Sequence, residues 1–182
     1  MTPPLFIIGY MACGKTTFGR ALARATGREF IDLDFYIEQR FRMSISRIFA
    51  EKGEEEFRRM ESAMLREAGA FENVIVACGG GTPCFNGNMD WMLANGTTLF
   101  LEASPERIAQ RLIANSSRRP LMAGKSPEEI RVAIAEGLAA RLPHYTRAAI
   151  RFPGDQLEDR RQITTTITNF LTTHSEVLGI RH

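Results

Sequence analysis

A glycine-rich segment near the start of the chain constrains the fold more than any other feature. It reads Gly-Tyr-Met-Ala-Cys-Gly-Lys-Thr-Thr over residues 9–17 and directly follows the apolar run 5–8. This matches the G-x-x-x-x-G-K-[ST] pattern of a phosphate-binding loop, which joins a buried strand to the N-terminus of a helix. The segment therefore predicts an α/β fold that binds a nucleoside triphosphate.

Each part of this loop has its own expected role. Lys15 is placed to reach the terminal phosphates, and the Thr16 hydroxyl is a ligand for Mg²⁺. The helix that begins near Lys15 points the positive end of its dipole at the same anion, which backbone N–H groups of the loop also face. The expected contacts of the triphosphate in this loop are Ala12, Cys13, Gly14, Lys15, Thr16 and Thr17.

Length and composition limit the remaining possibilities. The chain has 182 residues, of which 44% are apolar and 24% charged, as in a soluble globular protein of one domain. A net charge of +2 gives no indication of nucleic-acid or membrane binding. No apolar run approaches the roughly 18 residues of a membrane helix. The N-terminus lacks the basic region of a signal peptide, and three cysteines without metal spacing favour reduced thiols, so we expect a cytoplasmic protein.

Strand and helix patterns alternate from one end of the chain to the other. Buried strands are expected at 5–8, 30–34, 74–78, 97–101 and 148–152. Such alternation predicts a three-layer α/β/α fold with a parallel sheet of five strands. Ligands of these folds lie beyond the carboxyl ends of the strands, where Gly9, Asp32, Asp34 and the run Gly79–Gly81 all fall. The sequence therefore predicts a catalytic cleft at this edge.

Two carboxylates follow the second expected strand. Asp32 and Asp34 are one residue apart, so on an ideal strand they would share a face. One is suited to hydrated Mg²⁺ and the other to an acceptor hydroxyl. Capping of the following helix by Asp34 is the alternative.

Arginines are the candidate ligands for a substrate carboxylate, because a guanidinium recognises it with two parallel N–H groups. Arg58 and Arg59 lie in the first turns of the helix expected after Glu54, where pairing with neighbouring glutamates is the alternative. We favour that alternative for Arg59. Arg141, before Pro143, is placed equally well to cap carbonyl groups or to reach the cleft.

Two further segments fit a small-molecule kinase. Three glycines after the third strand permit close approach of a substrate to the backbone, beyond the needs of a tight turn. The polar, basic stretch 115–126 lacks strand or helix periodicity and is expected to be a mobile loop. Arg118 and Arg119 in it are candidates to stabilise a transferring phosphoryl group, and a solvated basic loop is the alternative.

Together these motifs resemble the shikimate kinase family, in order from about residue 5 to 172. The phosphate loop is common to many families. The resemblance gains its specificity from the other motifs, which are Asp32-x-Asp34, Phe57-Arg58, Gly79–Gly81, Arg119-Pro-Leu and Arg141-x-Pro-x-Tyr. Ala12 stands where many relatives have glycine, and the adenine-contacting segment, about 155–161, matches poorly.

The resemblance implies transfer of the ATP γ-phosphoryl group to the 3-hydroxyl of shikimate, in aromatic amino-acid biosynthesis, with Mg²⁺ as cofactor. It implies a nucleoside-monophosphate-kinase-like fold with strand order 2-3-1-4-5. It makes residues 1–182 one kinase domain with its core in 1–175, a substrate-binding segment at about 34–61 and a lid at about 114–126. We expect a monomer whose partners are shikimate and ATP.

Residue roles follow from the same resemblance. Lys15, Asp34 and Arg119 are the implied catalytic residues, with Asp34 holding the acceptor hydroxyl and Arg119 acting from the lid. Thr16 and, through water, Asp32 serve the metal. The shikimate contacts implied are Asp34, Phe57, Arg58, Gly79, Gly80, Gly81 and Arg141, the two arginines binding the carboxylate, and Arg160 is an expected contact of the adenine.

Two other classes of function remain open on the residues alone. A kinase of gluconate or of a nucleoside monophosphate would share the phosphate loop. A nucleotide-dependent switch would share it too, but the guanine-reading N-K-x-D motif of GTPase switches does not occur in the sequence.

Overall fold

The computed structural model describes residues 2–114 and 124–176. Its strands are β1 (Leu5–Ile8), β2 (Glu29–Asp32), β3 (Val74–Ala77), β4 (Thr97–Glu102) and β5 (Ile150–Pro153). They form one sheet in the order β2-β3-β1-β4-β5, and all neighbours pair in parallel. The predicted parallel sheet and its strand order are confirmed.

Helices connect the strands. They are α1 (Lys15–Thr26), α2 (Leu33–Phe41), α3 (Ile45–Gly69), α4 (Asn88–Asn95), α5 (Pro105–Ala114), α6 (Pro127–Tyr145) and α7 (Arg160–His174), with a 3₁₀ turn at Thr82–Cys84. Ser44 caps α3, and Gly53 interrupts its helical backbone with a φ of 80°. None of the helices in the described residues has the length and apolar character needed to cross a membrane.

The second strand ends earlier than the sequence pattern indicates. The strand predicted at 30–34 stops at Asp32, and α2 begins at the next residue. The reason is that the Asp32 carboxylate accepts the N–H of Phe35 and so caps the new helix. The alternative in which Asp34 is the cap is therefore wrong. The two aspartates do not share a strand face, because Asp34 lies in the first helical turn.

Both faces of the sheet are covered, since every residue of the central strand β1 is buried. Phe6 packs edge-to-face against Trp91 of α4. On the opposite face, Phe18 of α1 packs against Phe152 of β5 and Phe170 of α7. These two apolar layers bury the sheet between helices, and the loops at its carboxyl edge extend from this core.

Candidate active site

A cleft of about 340 Å³ opens at the carboxyl ends of β1, β2 and β3. The phosphate loop forms one wall and the loop after β3 forms another. The lining residues include Ala12, Gly14, Lys15, Thr16, Thr17, Asp32, Asp34, Gly79, Gly80, Arg111 and Leu157. Most of the residues predicted for ATP, metal and acceptor therefore share one cavity.

The phosphate loop has the backbone conformation that its sequence indicates. Gly14 adopts a φ of 105°, in the region that favours glycine, and its carbonyl accepts the first hydrogen bond of α1 from Phe18 N–H at 2.9 Å. Ala12 adopts a φ of 60°, where a residue with a side chain is less stable by roughly 1–2 kcal/mol. Alanine at this position therefore introduces strain that a glycine would avoid.

Lys15 lies within the curve of this loop. Its ammonium group donates to the Gly9 carbonyl at 2.8 Å and to the Tyr10 carbonyl at 2.9 Å. The side chain is only half-buried. A cation is thus held at the place where the loop would enclose an anion.

The residues at the floor of the cleft fit a magnesium ion. Thr16 Oγ1 donates to Asp32 Oδ2 at 2.7 Å, which places a hydroxyl and a carboxylate oxygen side by side. Mg²⁺ prefers such oxygen ligands and takes few of them from the protein, keeping waters and substrate phosphates. No cluster of three or more His, Cys, Asp or Glu suited to a metal occurs in residues 2–114 and 124–176.

Asp34 is the carboxyl group with the most perturbed acidity in the cleft. Its pKa is raised to about 6, first because protein atoms replace much of the surrounding water, and then because Asp32 and Glu61 are negatively charged neighbours. Lys15 opposes the shift. The residue as a whole stays exposed to the cleft. Its carboxyl group is therefore both crowded by protein and open to a substrate, with a pKa suited to accepting a proton near neutral pH.

Arg58 and Arg59, which the sequence could not separate, have different surroundings. The Arg58 side chain is 15% exposed and donates to Glu61 Oε2 at 2.9 Å. Glu61 is 1% exposed and also accepts from Thr82 Oγ1 at 2.6 Å. Arg59 is 66% exposed and pairs with Glu55 on the outer face of α3. The interpretation of Arg59 as a surface residue is confirmed.

The three glycines after β3 make room for these side chains. A methyl group on Gly79 would lie 2.9 Å from Asp34 Oδ1, and one on Gly81 would lie 2.8 Å from a terminal nitrogen of Arg58. The Gly80 carbonyl accepts the Tyr145 hydroxyl of α6 at 2.5 Å. The run of glycines thus allows a carboxylate and a guanidinium to lie against one backbone segment.

Arg141 lies on the same side of the molecule. Its guanidinium carbon is 5.1 Å from the centre of the Tyr10 ring, next to the phosphate loop. Arg141 and Arg58 both lie close enough to Cys84 to lower its pKa, although burial raises that pKa overall. The two cations therefore converge on the 3₁₀ turn that follows the glycines.

Sequence reasoning missed Arg111 of α5. Its guanidinium donates to the carbonyls of Ala12 at 3.1 Å and Cys13 at 3.0 Å, and to those of Gly154 and Asp155 on the far side. It thereby joins the phosphate loop to the segment before α7. No local pattern signals this role, because these partners lie up to 99 residues away in the sequence.

Two of the remaining predicted site residues lie in the part of the chain that the structure describes. Phe57 is buried beside Arg58. Arg160 is the exposed first residue of α7, and the nearby Leu157 contributes to the cleft lining. Arg119 and most of the expected lid at 114–126 lie outside the described residues.

Known proteins resemble this chain over nearly all of its length. The family model for shikimate kinase matches residues 11–172. A shikimate kinase of Parabacteroides distasonis is 49% identical over 153 residues, which cover 84% of this chain and 88% of that one. The crystal structure of shikimate kinase from Bacteroides thetaiotaomicron has a TM-score of 0.93 at 41% identity, covering 96% and 99%. Shikimate kinase from Acinetobacter baumannii in complex with shikimate has a TM-score of 0.82 at 28% identity, covering 98% and 96%.

Proposed function

Because the chain belongs to the shikimate kinase family, it phosphorylates shikimate with ATP, and we propose that the 3-hydroxyl is the acceptor within the cleft described above. The reaction serves aromatic amino-acid biosynthesis. The observation that carries the proposal is the common position of the phosphate loop and Asp34 in one cavity, with Arg58 beside Gly81 at its edge.

ATP binds with its phosphates in the loop at residues 12–17. Lys15 moves its N–H groups from the Gly9 and Tyr10 carbonyls to the phosphate oxygens, while Thr16 and, through water, Asp32 would hold Mg²⁺. When bound, Mg²⁺ neutralises charge on the phosphates. Catalysis in this chemistry is mainly positioning and charge stabilisation, which a lysine within the phosphate loop supplies.

Shikimate binds beside the phosphates. Asp34 accepts a hydrogen bond from the attacking hydroxyl and orients it, while Arg58 and Arg141 bind the single carboxylate. The ring lies against the backbone at Gly79–Gly81, with Phe57 behind Arg58. A hydroxyl and a carboxylate held at two separate points fix the direction of attack on the phosphorus.

Further assignments rest on the resemblance alone. Arg119 supplies charge from a lid at about 114–126, and Arg160 contacts the adenine. Residues 34–61 form the substrate-binding segment of one kinase domain spanning 1–182, with its core in 1–175. The protein acts as a cytoplasmic monomer without nucleic-acid or membrane partners.

Product analysis tests the proposed regiochemistry. The reaction of enzyme, ATP, Mg²⁺ and shikimate is followed by NMR that correlates phosphorus with protons. The phosphorus of the product is expected to couple to the ring proton on carbon 3. Coupling to the proton on carbon 4 or 5 would contradict the placement of the 3-hydroxyl at Asp34. A reaction without ATP is the control.

Arg58→Ala is expected to raise the KM for shikimate by about 10²-fold, because a charge-assisted pair with a carboxylate contributes roughly 1.5–3 kcal/mol. The KM for ATP should change less than about twofold, since Arg58 lies away from the phosphate loop. Arg59→Ala is the matched control, one residue along α3 and solvent-exposed. Steady-state kinetics in both substrates check this result. An increase confined to the KM for ATP would show that Arg58 serves the binding of ATP and not of shikimate.

Glu54→Gln is expected to lower the KM for shikimate by about twofold, the size of an exposed i,i+4 ion pair. Glu54 is 59% exposed, and its carboxylate accepts from Arg58 Nε at 3.3 Å and from a terminal nitrogen at 3.2 Å. Those N–H groups are the ones a substrate carboxylate needs, so the two carboxylates compete. Glu55→Gln, which removes the equivalent partner of Arg59, should leave the KM unchanged. A higher KM in Glu54→Gln would instead show that Glu54 holds Arg58 in place.

A further inference from the structure

Aromatic rings surround the Arg58 guanidinium. Its central carbon lies 4.0 Å from the centre of the Phe85 ring, 5.2 Å from that of Phe57 and 6.0 Å from that of Phe49. The distance to Phe85 is that of direct contact between ring and cation. Phe85 is nevertheless 36% exposed, so burial in the core does not explain its position.

Phe85 belongs to a segment, residues 82–88, that is fastened to α3 on both sides of the ring. Before it, Thr82 donates to the buried Glu61, the fixed partner of Arg58. After it, Asn86 Nδ2 donates to the Arg58 carbonyl at 3.0 Å and to Ser62 Oγ at 3.1 Å. The ring is therefore anchored directly over Arg58.

Asn86 adopts a backbone conformation that favours this anchoring. Its φ is 50°, in the left-handed region that asparagine tolerates better than most residues. Two residues later, Asn88 accepts from Arg66 of α3 at 3.2 Å and donates to the Thr82 carbonyl at 2.9 Å. The segment is thus closed on itself and tied to α3 at several points, and this leaves little freedom to Phe85.

We infer that Phe85 is a positioning residue for acceptor binding, which sets the plane of the Arg58 guanidinium toward the substrate carboxylate. The inference rests on the proposed role of Arg58. The ring excludes water from one face of the guanidinium and leaves its N–H edges available. Glu61 holds one of these edges, so the edge now paired with the exposed Glu54 is the one offered to the substrate.

The test compares four variants at this position by steady-state kinetics. Phe85→Ala and Phe85→Leu should each raise the KM for shikimate by about three- to tenfold, because neither retains an aromatic face for the cation. Phe85→Tyr and Phe85→Trp should stay within about twofold of the wild type. The KM for ATP should not move. Phe71→Ala, which removes another exposed ring after α3, is the control and should leave both constants unchanged.

The comparison of leucine with tyrosine separates positioning from packing. Leucine fills the space without a π face, so wild-type kinetics in Phe85→Leu would overturn the inference. Failure of Phe85→Tyr and Phe85→Trp to preserve the KM would overturn it as well. Thermal denaturation of each variant is recorded alongside, and a loss of stability shared by Ala and Leu does not by itself alter the KM for one substrate.

A double-mutant cycle ties the effect to Arg58. If Phe85 acts through Arg58, then Phe85→Ala in an Arg58→Ala background adds no further increase in the KM for shikimate. Increases that multiply would overturn the inference and leave the proposed function intact. A normal KM in Arg58→Ala alone would overturn the proposed binding role of Arg58, and the inference with it.

Discussion

Lys15→Ala is expected to lower kcat for phosphoryl transfer by about 10²–10³-fold, the size measured when one charge-stabilising group is removed from an active site. Lys15 lies in the phosphate loop, and its ammonium group is held there by two loop carbonyls at 2.8 and 2.9 Å. Without it, negative charge developing on the transferring group has no fixed cation at that point. Release of ADP in the presence of shikimate measures the effect.

The fold should survive this substitution, because Lys15 is only half-buried and lies at the edge of a cleft. Circular dichroism and thermal denaturation check this. Lys52→Ala removes an exposed lysine from α3 and serves as the control, with kcat expected at the wild-type value. A folded Lys15→Ala variant with near-normal kcat would contradict the proposed role of the phosphate loop in phosphoryl transfer.

Asp34→Asn is expected to lower kcat by about 10²-fold or more, within the range that a positioned proton acceptor contributes, while the KM for shikimate changes only a few-fold. An amide of the same shape still hydrogen-bonds the acceptor, but it is neutral and does not take up a proton. Initial rates at varied shikimate concentration separate the two constants. A near-normal kcat would exclude Asp34 as the group that activates or orients the hydroxyl.

The pH dependence of kcat/KM tests the same role of Asp34. Because the pKa of Asp34 is raised to about 6, kcat/KM for shikimate should rise with pH through 6 and level off above about pH 7. In Asp34→Asn this inflection should be absent. An unchanged inflection in the variant would assign it to another group.

The stability of the folded protein should fall with rising pH over the range in which kcat/KM rises. A carboxyl group whose pKa is higher in the folded state than in the unfolded state binds more protons when folded, so its contribution to stability falls as pH rises between the two values. Asp34→Asn lacks this unfavourable contribution. Its melting temperature should therefore exceed that of the wild type at pH 7.5 and approach it near pH 4.

Local patterns predicted the parts of the site that are contiguous in sequence. The phosphate loop and the three glycines have fixed spacing, and each has a chemical reason to follow a buried strand. The start of α2 was misplaced because residues 30–34 look like one strand ending in acids, whereas the Asp32 side chain starts a helix there. Capping by a single side chain overrode a short apolar pattern.

The choice between Arg58 and Arg59 had a partial signal in the sequence. Glu61 is in helical register with the buried Phe57, Leu65 and Ala68, and this periodicity places an acid on the core face of α3. A buried carboxylate requires a cation, and Arg58 lies three residues before it.

Contacts between distant segments could not be predicted in this way. Arg111 holds the phosphate loop from α5, and Phe85 covers Arg58 from the segment after the glycines. Both depend on how separate elements pack, which helical or strand periodicity does not encode. Only the three-dimensional arrangement of the elements brings these residues to their partners.

The most direct test of the assigned activity is ADP release with shikimate, gluconate and AMP as acceptors in parallel, at saturating ATP and Mg²⁺. The proposed site, in which one aspartate holds a hydroxyl and two arginines hold a carboxylate at a set separation, should turn over shikimate. Gluconate, which does not hold these groups on a ring, and AMP should give no more than the rate of ATP hydrolysis without acceptor. Turnover of gluconate or AMP, with none of shikimate, would contradict the account.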